Sequence, residues 1–193
     1  MVSADTGRCW WSLGDPLLTE YHDNEWGMPA SDDTHLFEML TLEGFQAGLS
    51  WLTILRKRSA FRAAFAGFDP HAVAAFNDED RARLMADAGI VRNRAKIDAT
   101  IANAAAFLSV AERDGSFAAF LGDRFPPPPR RLPADATSGS LPATTPESDA
   151  LSREFKKLGF RFVGSTIAYS FMQAVGLVDD HVPGCFRYVG ETT

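Results

Sequence analysis

Cysteine and histidine are scarce in this chain, two and four residues respectively, and they fall in pairs. Cys9 and His22 lie near the N-terminus with twelve residues between them, and His181 and Cys185 lie near the C-terminus with three between them. Val182-Pro183-Gly184-Cys185 places proline and glycine where a tight turn takes them, so His181 and Cys185 can return to one point. Two Cys and two His make a full tetrahedral set for Zn²⁺. The spacing leaves two readings open. The four residues form one site, or they are two unrelated pairs, with cysteines packed as small hydrophobes and histidines satisfied in turns. In the first case four protein ligands leave no open coordination position. The metal is then structural and ties the N- and C-terminal segments together, a large entropic restraint on the unfolded chain. His35 and His71 are left over and are expected at the surface.

A second group can do chemistry of another kind. Trp11, Tyr21, Trp26 and Trp51 are candidates for a stacking pocket, because flat bases are recognised on aromatic faces. A cationic base gains about 1–2 kcal/mol more from the ring quadrupole once desolvated. Taken one at a time, each ring is equally well explained by core packing with one polar contact. Glu43 sits in Thr41-Leu42-Glu43-Gly44-Phe45-Gln46-Ala47-Gly48-Leu49-Ser50-Trp51, where Gly44 and Gly48 are expected to break a helix. A carboxylate is disfavoured at the end of one helix and favoured at the start of the next, where it could face a pocket. Alone, it reads as well as a solvated or capping acid.

The third feature is basic. Asp87-Ala88-Gly89-Ile90-Val91-Arg92-Asn93-Arg94-Ala95-Lys96 joins two helical segments through a short glycine turn. That layout offers backbone N–H groups and a helix N-terminus to a phosphate, with Gly89, Arg92, Arg94 and Lys96 as the contacts. Arg56-Lys57-Arg58 with Arg62, and Arg153, Lys156, Lys157 and Arg161, are two further candidate surfaces for a nucleic-acid backbone, or simply solvated helix faces.

These residues need elements to hold them. At 193 residues the chain has the length of one large domain or two small ones, and 46% hydrophobic with 23% charged residues is ordinary globular usage. No apolar run is long enough to span a bilayer, which points away from a membrane. Met1 to Cys9 lacks a basic stretch followed by an apolar one, so a reducing, cytoplasmic setting is expected. A net charge of −6 excludes a basic coat that grips nucleic acid wholesale, but not a local patch.

The first thirty residues read as irregular, a cap over a site. After them the pattern is helical. Ser31 is expected to cap a helix through Leu36, Phe37 and Leu40, and the pattern resumes at Leu49, Leu52 and Leu55. Asp69-Pro70 and Asn77 start two more helices; in the second, Leu84, Met85 and Ala88 face inward and Gly89 is the stop. A long helix follows over Arg94 to Arg113, with Ile97, Ile101, Ala104, Ala105 and Leu108 on one stripe. Pro126 to Pro129 can be neither helix nor central strand, and the stretch to Thr145 reads as a proline-rich loop or linker. Helices over Thr145-Pro146 to Leu158 and Ser165 to Val175 close the chain. No strand is expected. The fold class is all-α, with about seven to nine helices on the usual mean length, and no exposed heptad argues for more than a monomer.

Long ordered blocks of the chain resemble the bacterial DNA-3-methyladenine glycosylase I family. They are Arg8-Cys9-Trp10-Trp11, Asp15-Pro16-Leu17, Tyr21 to Gly27, Leu36 to Met39, Leu42 to Trp51, Asp87 to Arg94, Gly159 to Thr166, Tyr169 to Ala174, and His181. The resemblance implies a helix-hairpin-helix glycosylase fold with a structural zinc on Cys9, His22, His181 and Cys185. It also implies a base pocket of Trp11, Tyr21, Trp26, Glu43 and Trp51, in which Trp51 stacks on the base while Glu43 and Tyr21 bond its edge. Glu43 is the implied catalytic group. The implied activity is monofunctional excision of 3-methyladenine from alkylated double-stranded DNA by base flipping, free 3-methyladenine being a product; a non-catalytic reader of the same damage is the alternative. Two helical lobes are implied, one from about 1–50 with 146–193 and one from about 51–125, with the loop 126–145 apart. Leu18 stands where some members of the family carry a tyrosine.

Overall fold

A computed structural model describes residues 7–125 and 130–189 of the chain. The expectation for Pro126 to Pro129 lies outside these residues. Nine α-helices are present among the described residues: α1 (Pro16–Asn24), α2 (Asp33–Gln46), α3 (Trp51–Ala64), α4 (Pro70–Ala74), α5 (Asp78–Ala86), α6 (Arg94–Asp114), α7 (Phe117–Arg124), α8 (Pro146–Lys157) and α9 (Ser165–Ala174). The fold is all-α, as expected.

Local chemistry starts most of these helices. Asp15, Asp32, Ser50, Asp69, Asn77, Asn93, Ser116 and Thr145 each accept a backbone N–H of the first turn, and α1, α4 and α8 open with proline.

Several expectations are corrected. The first thirty residues are not irregular: Trp10–Ser12 is a 3₁₀ turn and Pro16–Asn24 a helix that the Asp15-Pro16 cap nucleates. Asp32, not Ser31, caps α2. Gly44 does not break α2, which runs on to Gln46. One glycine costs a helix about 1 kcal/mol, and α2 is buried along nearly its whole length from Leu36 to Phe45, so packing outweighs that cost. The break comes at Gly48, whose φ of +83° favours glycine. Ala88 and Ala105 are exposed; the inward stripe of α6 runs through Ile97, Ile101, Ala104 and Phe107. Two short strands pair in parallel, β1 (Arg130–Arg131) with β2 (Val178–Asp179). Leu132 is buried just after β1, and the Tyr188 hydroxyl donates to its carbonyl at 3.2 Å, so this stretch is pinned to the C-terminal segment.

The core has two phenylalanine clusters that meet at α2. On one side Phe37 packs on Phe107, which continues through Phe117 to Phe155, Phe160 and Phe171. On the other side Phe45 packs on Phe61 and Phe65, which continues to Phe68. Such large apolar side chains, fully buried, dominate the stability of a domain. They make α2 the fixed spine on which Glu43 is carried.

Within the run Arg56-Lys57-Arg58 with Arg62, only Arg58 is largely buried; Arg56 and Arg62 stay exposed, and each of the four has an internal partner. Arg58 makes a bidentate pair with Glu25 at 2.6 Å and reaches Glu38 at 2.8 Å, and Arg62 reaches Glu38 at 2.7 Å. Against its burial, His35, Arg62 and Arg58 together hold the Glu38 carboxyl far below the usual carboxylate range. Arg56 pairs with Asp15, and the Lys57 ammonium donates to the carbonyls of Ala88 and Gly89 at 3.1 Å.

Candidate functional site

The aromatic residues converge. Trp11 stands in the N-terminal 3₁₀ turn, Tyr21 on α1, Trp26 just past its end, and Trp51 at the first turn of α3. Ring centroids are 4.9 Å apart for Trp11–Trp26, 6.3 Å for Trp11–Tyr21 and 5.3 Å for Tyr21–Trp51, tilted or edge-on. Together with Glu43 they line a cavity of about 300 Å³. A cavity of that volume takes a molecule the size of a heterobicyclic base.

Five further residues line it that sequence reasoning did not single out: Trp10, Gln46, Leu141, Ser170 and Gln173. Gln46 lies three residues after Glu43 on α2, and Ser170 and Gln173 lie three apart on α9, so helical spacing was an available signal for these three. Leu141 comes from the segment after β1, and nothing local marks it. Leu18 packs half-buried against the core and is not among the lining residues.

Three polar atoms in the cavity are unsatisfied. The Tyr21 hydroxyl, Glu43 Oε2 and Trp51 Nε1 are buried without a hydrogen-bond partner among the described residues. Buried polar groups are normally paired, and each exception requires a reason. Glu43 sits in the last turn of α2, where exposed carbonyls give the helix its negative end. Burial pushes its carboxyl up to about 8, and no internal cation pulls it back. Burial also raises the Tyr21 phenol well above its ordinary value, with the Glu43 charge adding to the effect. The arrangement is therefore two hydrogen-bond donors and one carboxyl group waiting in an aromatic box. Chemically, it suits a flat cation that carries its own hydrogen-bonding edge.

Beside the box lie the two Cys/His pairs, brought into one buried cluster. The ligand atoms of Cys9, His22, His181 and Cys185 all lie within 4.8 Å of one another. Cys9 Sγ and Cys185 Sγ are each 3.6 Å from His181 Nδ1, and Cys185 Sγ is 3.4 Å from His22 Nε2. Sulfur–nitrogen edges of about 3.5 Å are those of a tetrahedron with ordinary thiolate and imidazole bond lengths. His22 Nδ1 donates to Asp23 at 2.8 Å, and Asp23 is held by Arg8, which leaves His22 Nε2 facing the sulfurs. Burial lowers both histidines, His181 to about 4, so both rings are neutral near pH 7 and offer lone pairs. Burial also pushes the Cys9 thiol up to about 12, so a cation is what would favour its thiolate. The four residues fit a metal ion. The cluster buttresses the pocket as well, since the Trp26 ring lies 4.7 Å from that of His181 and Trp11 lies 5.4 Å from His22.

The turn between α5 and α6 presents Arg92 and Arg94 to solvent, with Arg94 bonded to Asp98 one turn on. Gly89 serves close packing: a Cβ there would lie 2.9 Å from the Ala60 Cβ. Its N–H is taken by the Asp87 side chain at 2.7 Å. Lys96 corrects its expectation. Its ammonium points inward, onto backbone carbonyls of the α2–α3 turn, because that turn leaves acceptors without partners beside α6. Lys96 thus abuts the helix end that carries Glu43, but neither it nor Lys57 lines the cavity.

A family model described as methyladenine glycosylase matches residues 10–188. DNA-3-methyladenine glycosylase 1 of Escherichia coli (strain K12) is 52% identical over 183 residues, which is 95% of this chain and 97% of that protein. The chain belongs to the methyladenine glycosylase family. A crystal structure of 3-methyladenine DNA glycosylase I superposes with a TM-score of 0.88 at 52% identity, covering 94% of this chain and 99% of its own. A point-substituted 3-methyladenine DNA glycosylase I in complex with 3-methyladenine has the same TM-score at 34% identity, with 94% and 99% covered. Among the described residues no helix is long and apolar enough to cross a membrane.

Proposed function

We propose that this methyladenine glycosylase hydrolyses the N-glycosidic bond of 3-methyladenine in alkylated double-stranded DNA, on a helix-hairpin-helix fold of two helical lobes. The observation that carries the reading is the lone carboxyl of Glu43, buried without a cation in an aromatic box of about 300 Å³. A base enters such a box only when rotated out of the duplex. Methylation at N3 leaves the base cationic, and its arrival favours the ionised carboxylate that burial alone opposes. Trp51 stacks on the base, while Glu43 and Tyr21 bond its edge.

The reaction breaks the bond between C1′ and the base nitrogen, and the bonding pair leaves with the base, which becomes neutral. Water adds at C1′ and loses a proton, which yields free 3-methyladenine and an abasic sugar. A cationic base is already a good leaving group, so the protein's share is preferential binding of the departing base and the oxocarbenium-like sugar. No lysine lines the cavity, which favours hydrolysis by water over attack by an amine. Gly89, Arg92 and Arg94 form the duplex-facing turn. Cys9, His22, His181 and Cys185 would hold a structural Zn²⁺, which supplies a cross-link and leaves no position open for substrate.

The test is release of free base from methylated duplex by the wild type and by Glu43→Gln in parallel. Loss of one charge-stabilising group in a dry site typically costs about 100-fold or more in rate. Release by the wild type alone is expected. Equal single-turnover release by both would remove Glu43 from the chemistry, and tight binding without release by either would make the protein a reader of damage.

A further inference from the structure

Of the four lysines in the chain, Lys96 alone is buried. Its ammonium donates to the carbonyls of Phe45 at 2.9 Å and Ala47 at 2.7 Å, and no carboxylate pairs with it among the described residues. Burying an ammonium is costly unless strong acceptors meet it. Here the acceptors are the carbonyls that close α2, at the negative end of that helix. The turn they belong to joins two pocket residues, Glu43 in the last turn of α2 and Trp51 at the start of α3.

The other end of Lys96 belongs to the hairpin. Its backbone N–H is bonded by the side chain of Asn93, which caps α6 directly after the basic turn. Two turns further along the same helix, Asn103 holds both the N–H and the carbonyl of Arg161, at 2.7 and 3.0 Å. That fixes Phe162 behind Gly44 of α2. Helix α6 thus braces the end of α2 at two points, and Lys96 is the charged one.

We propose that Lys96 is a positioning residue that sets the α2–α3 turn, and with it the places of Glu43 and Trp51, so that the duplex-facing hairpin and the base pocket are held in one register. The proposal rests on the glycosylase reading above. Lys96→Met keeps the aliphatic stem and removes both hydrogen bonds; Lys96→Arg keeps charge and donors.

A misplacement of about 1 Å costs up to about 100-fold in rate, so Lys96→Met should slow single-turnover release of 3-methyladenine by about tenfold or more. Its affinity for a duplex with a tetrahydrofuran abasic analogue should stay at the wild-type level, and Lys96→Arg should recover most of the lost rate. If Lys96→Met melts below the assay temperature, Lys96→Gln, which keeps one donor, carries the same comparison with a smaller loss. Undiminished release by a folded variant of lower melting temperature would reduce Lys96 to a structural residue and overturn the proposal. Duplex affinity falling in step with release would make it a DNA contact and overturn it equally. The wild type in the same assay separates the two readings: if it releases no base, the glycosylase reading itself has failed.

Discussion

Replacing Glu43 by glutamine should stabilise the protein even as it removes activity, and the gain should grow with pH. The folded state holds the Glu43 proton up to about pH 8, against an ordinary 4.5. Between those values the folded chain binds more protons than the unfolded one, so stability falls as pH rises through the window. At about 1.4 kcal/mol per pH unit, the whole span is worth about 5 kcal/mol by pH 9 and about 3 kcal/mol at pH 7. Glutamine has no proton to lose and similar volume, so the variant lacks this slope. In a chain of this size about 1 kcal/mol moves the melting temperature by 2–4 °C, so the variant should melt roughly 10 °C higher at pH 7, and the two should converge near pH 4.5. Calorimetry or denaturant melts of both proteins at pH 5, 7 and 9 read the difference, and any contribution common to both, such as the Cys/His cluster, cancels. A gap that is constant from pH 5 to pH 9, or a variant less stable than wild type at pH 9, would refute the account of Glu43 as a buried carboxyl without a partner.

Two other perturbations follow from the geometry. Cys185→Ser removes one of four converging ligands; since metal binding is folding free energy, the purified protein should lose bound metal and at least about 3 kcal/mol of stability, read by elemental analysis and by melting. Retained metal and an unchanged melt would dissolve the cluster as a metal site. Gly89→Ala puts a methyl 2.9 Å from the Ala60 Cβ, and such overpacking costs about 1–3 kcal/mol. The hairpin should shift off α3, so affinity for abasic duplex should fall while quenching of tryptophan fluorescence by free 3-methyladenine stays at the wild-type level; equal loss of both would show that the hairpin does not act separately from the pocket.

Much of the fold was legible because its determinants are local. The helix starts at Asp69-Pro70, Asn77, Asn93 and Thr145-Pro146 were readable, because a capping side chain and its target N–H lie within a few residues. Local rules also misled. Gly44 looked like a break, yet α2 continues because it is packed on nearly all sides, and the N-terminal aromatic run looked irregular although Asp15-Pro16 starts a helix inside it. The two Cys/His pairs were visible as a matched set of donors, but their halves are 172 residues apart between Cys9 and His181, and spacing alone left two unrelated pairs as open as one site.

By itself the sequence determined which chemical groups are present: four metal-ligand side chains, a set of aromatic rings, one glutamate just before two glycines, and a basic turn between helices. Only the tertiary structure decided what each group does. Glu43 became a carboxyl without a partner because α1, α3 and α9 close over it, and Gln46, Ser170, Gln173 and Leu141 entered the cavity from three separate segments. Arg58 and Lys96 carry the same charge as Arg92, yet one is locked to Glu25 and Glu38 and the other to the end of α2. A charge takes its role from the dielectric and the partners around it, and here those are supplied by residues 20 to 51 positions away.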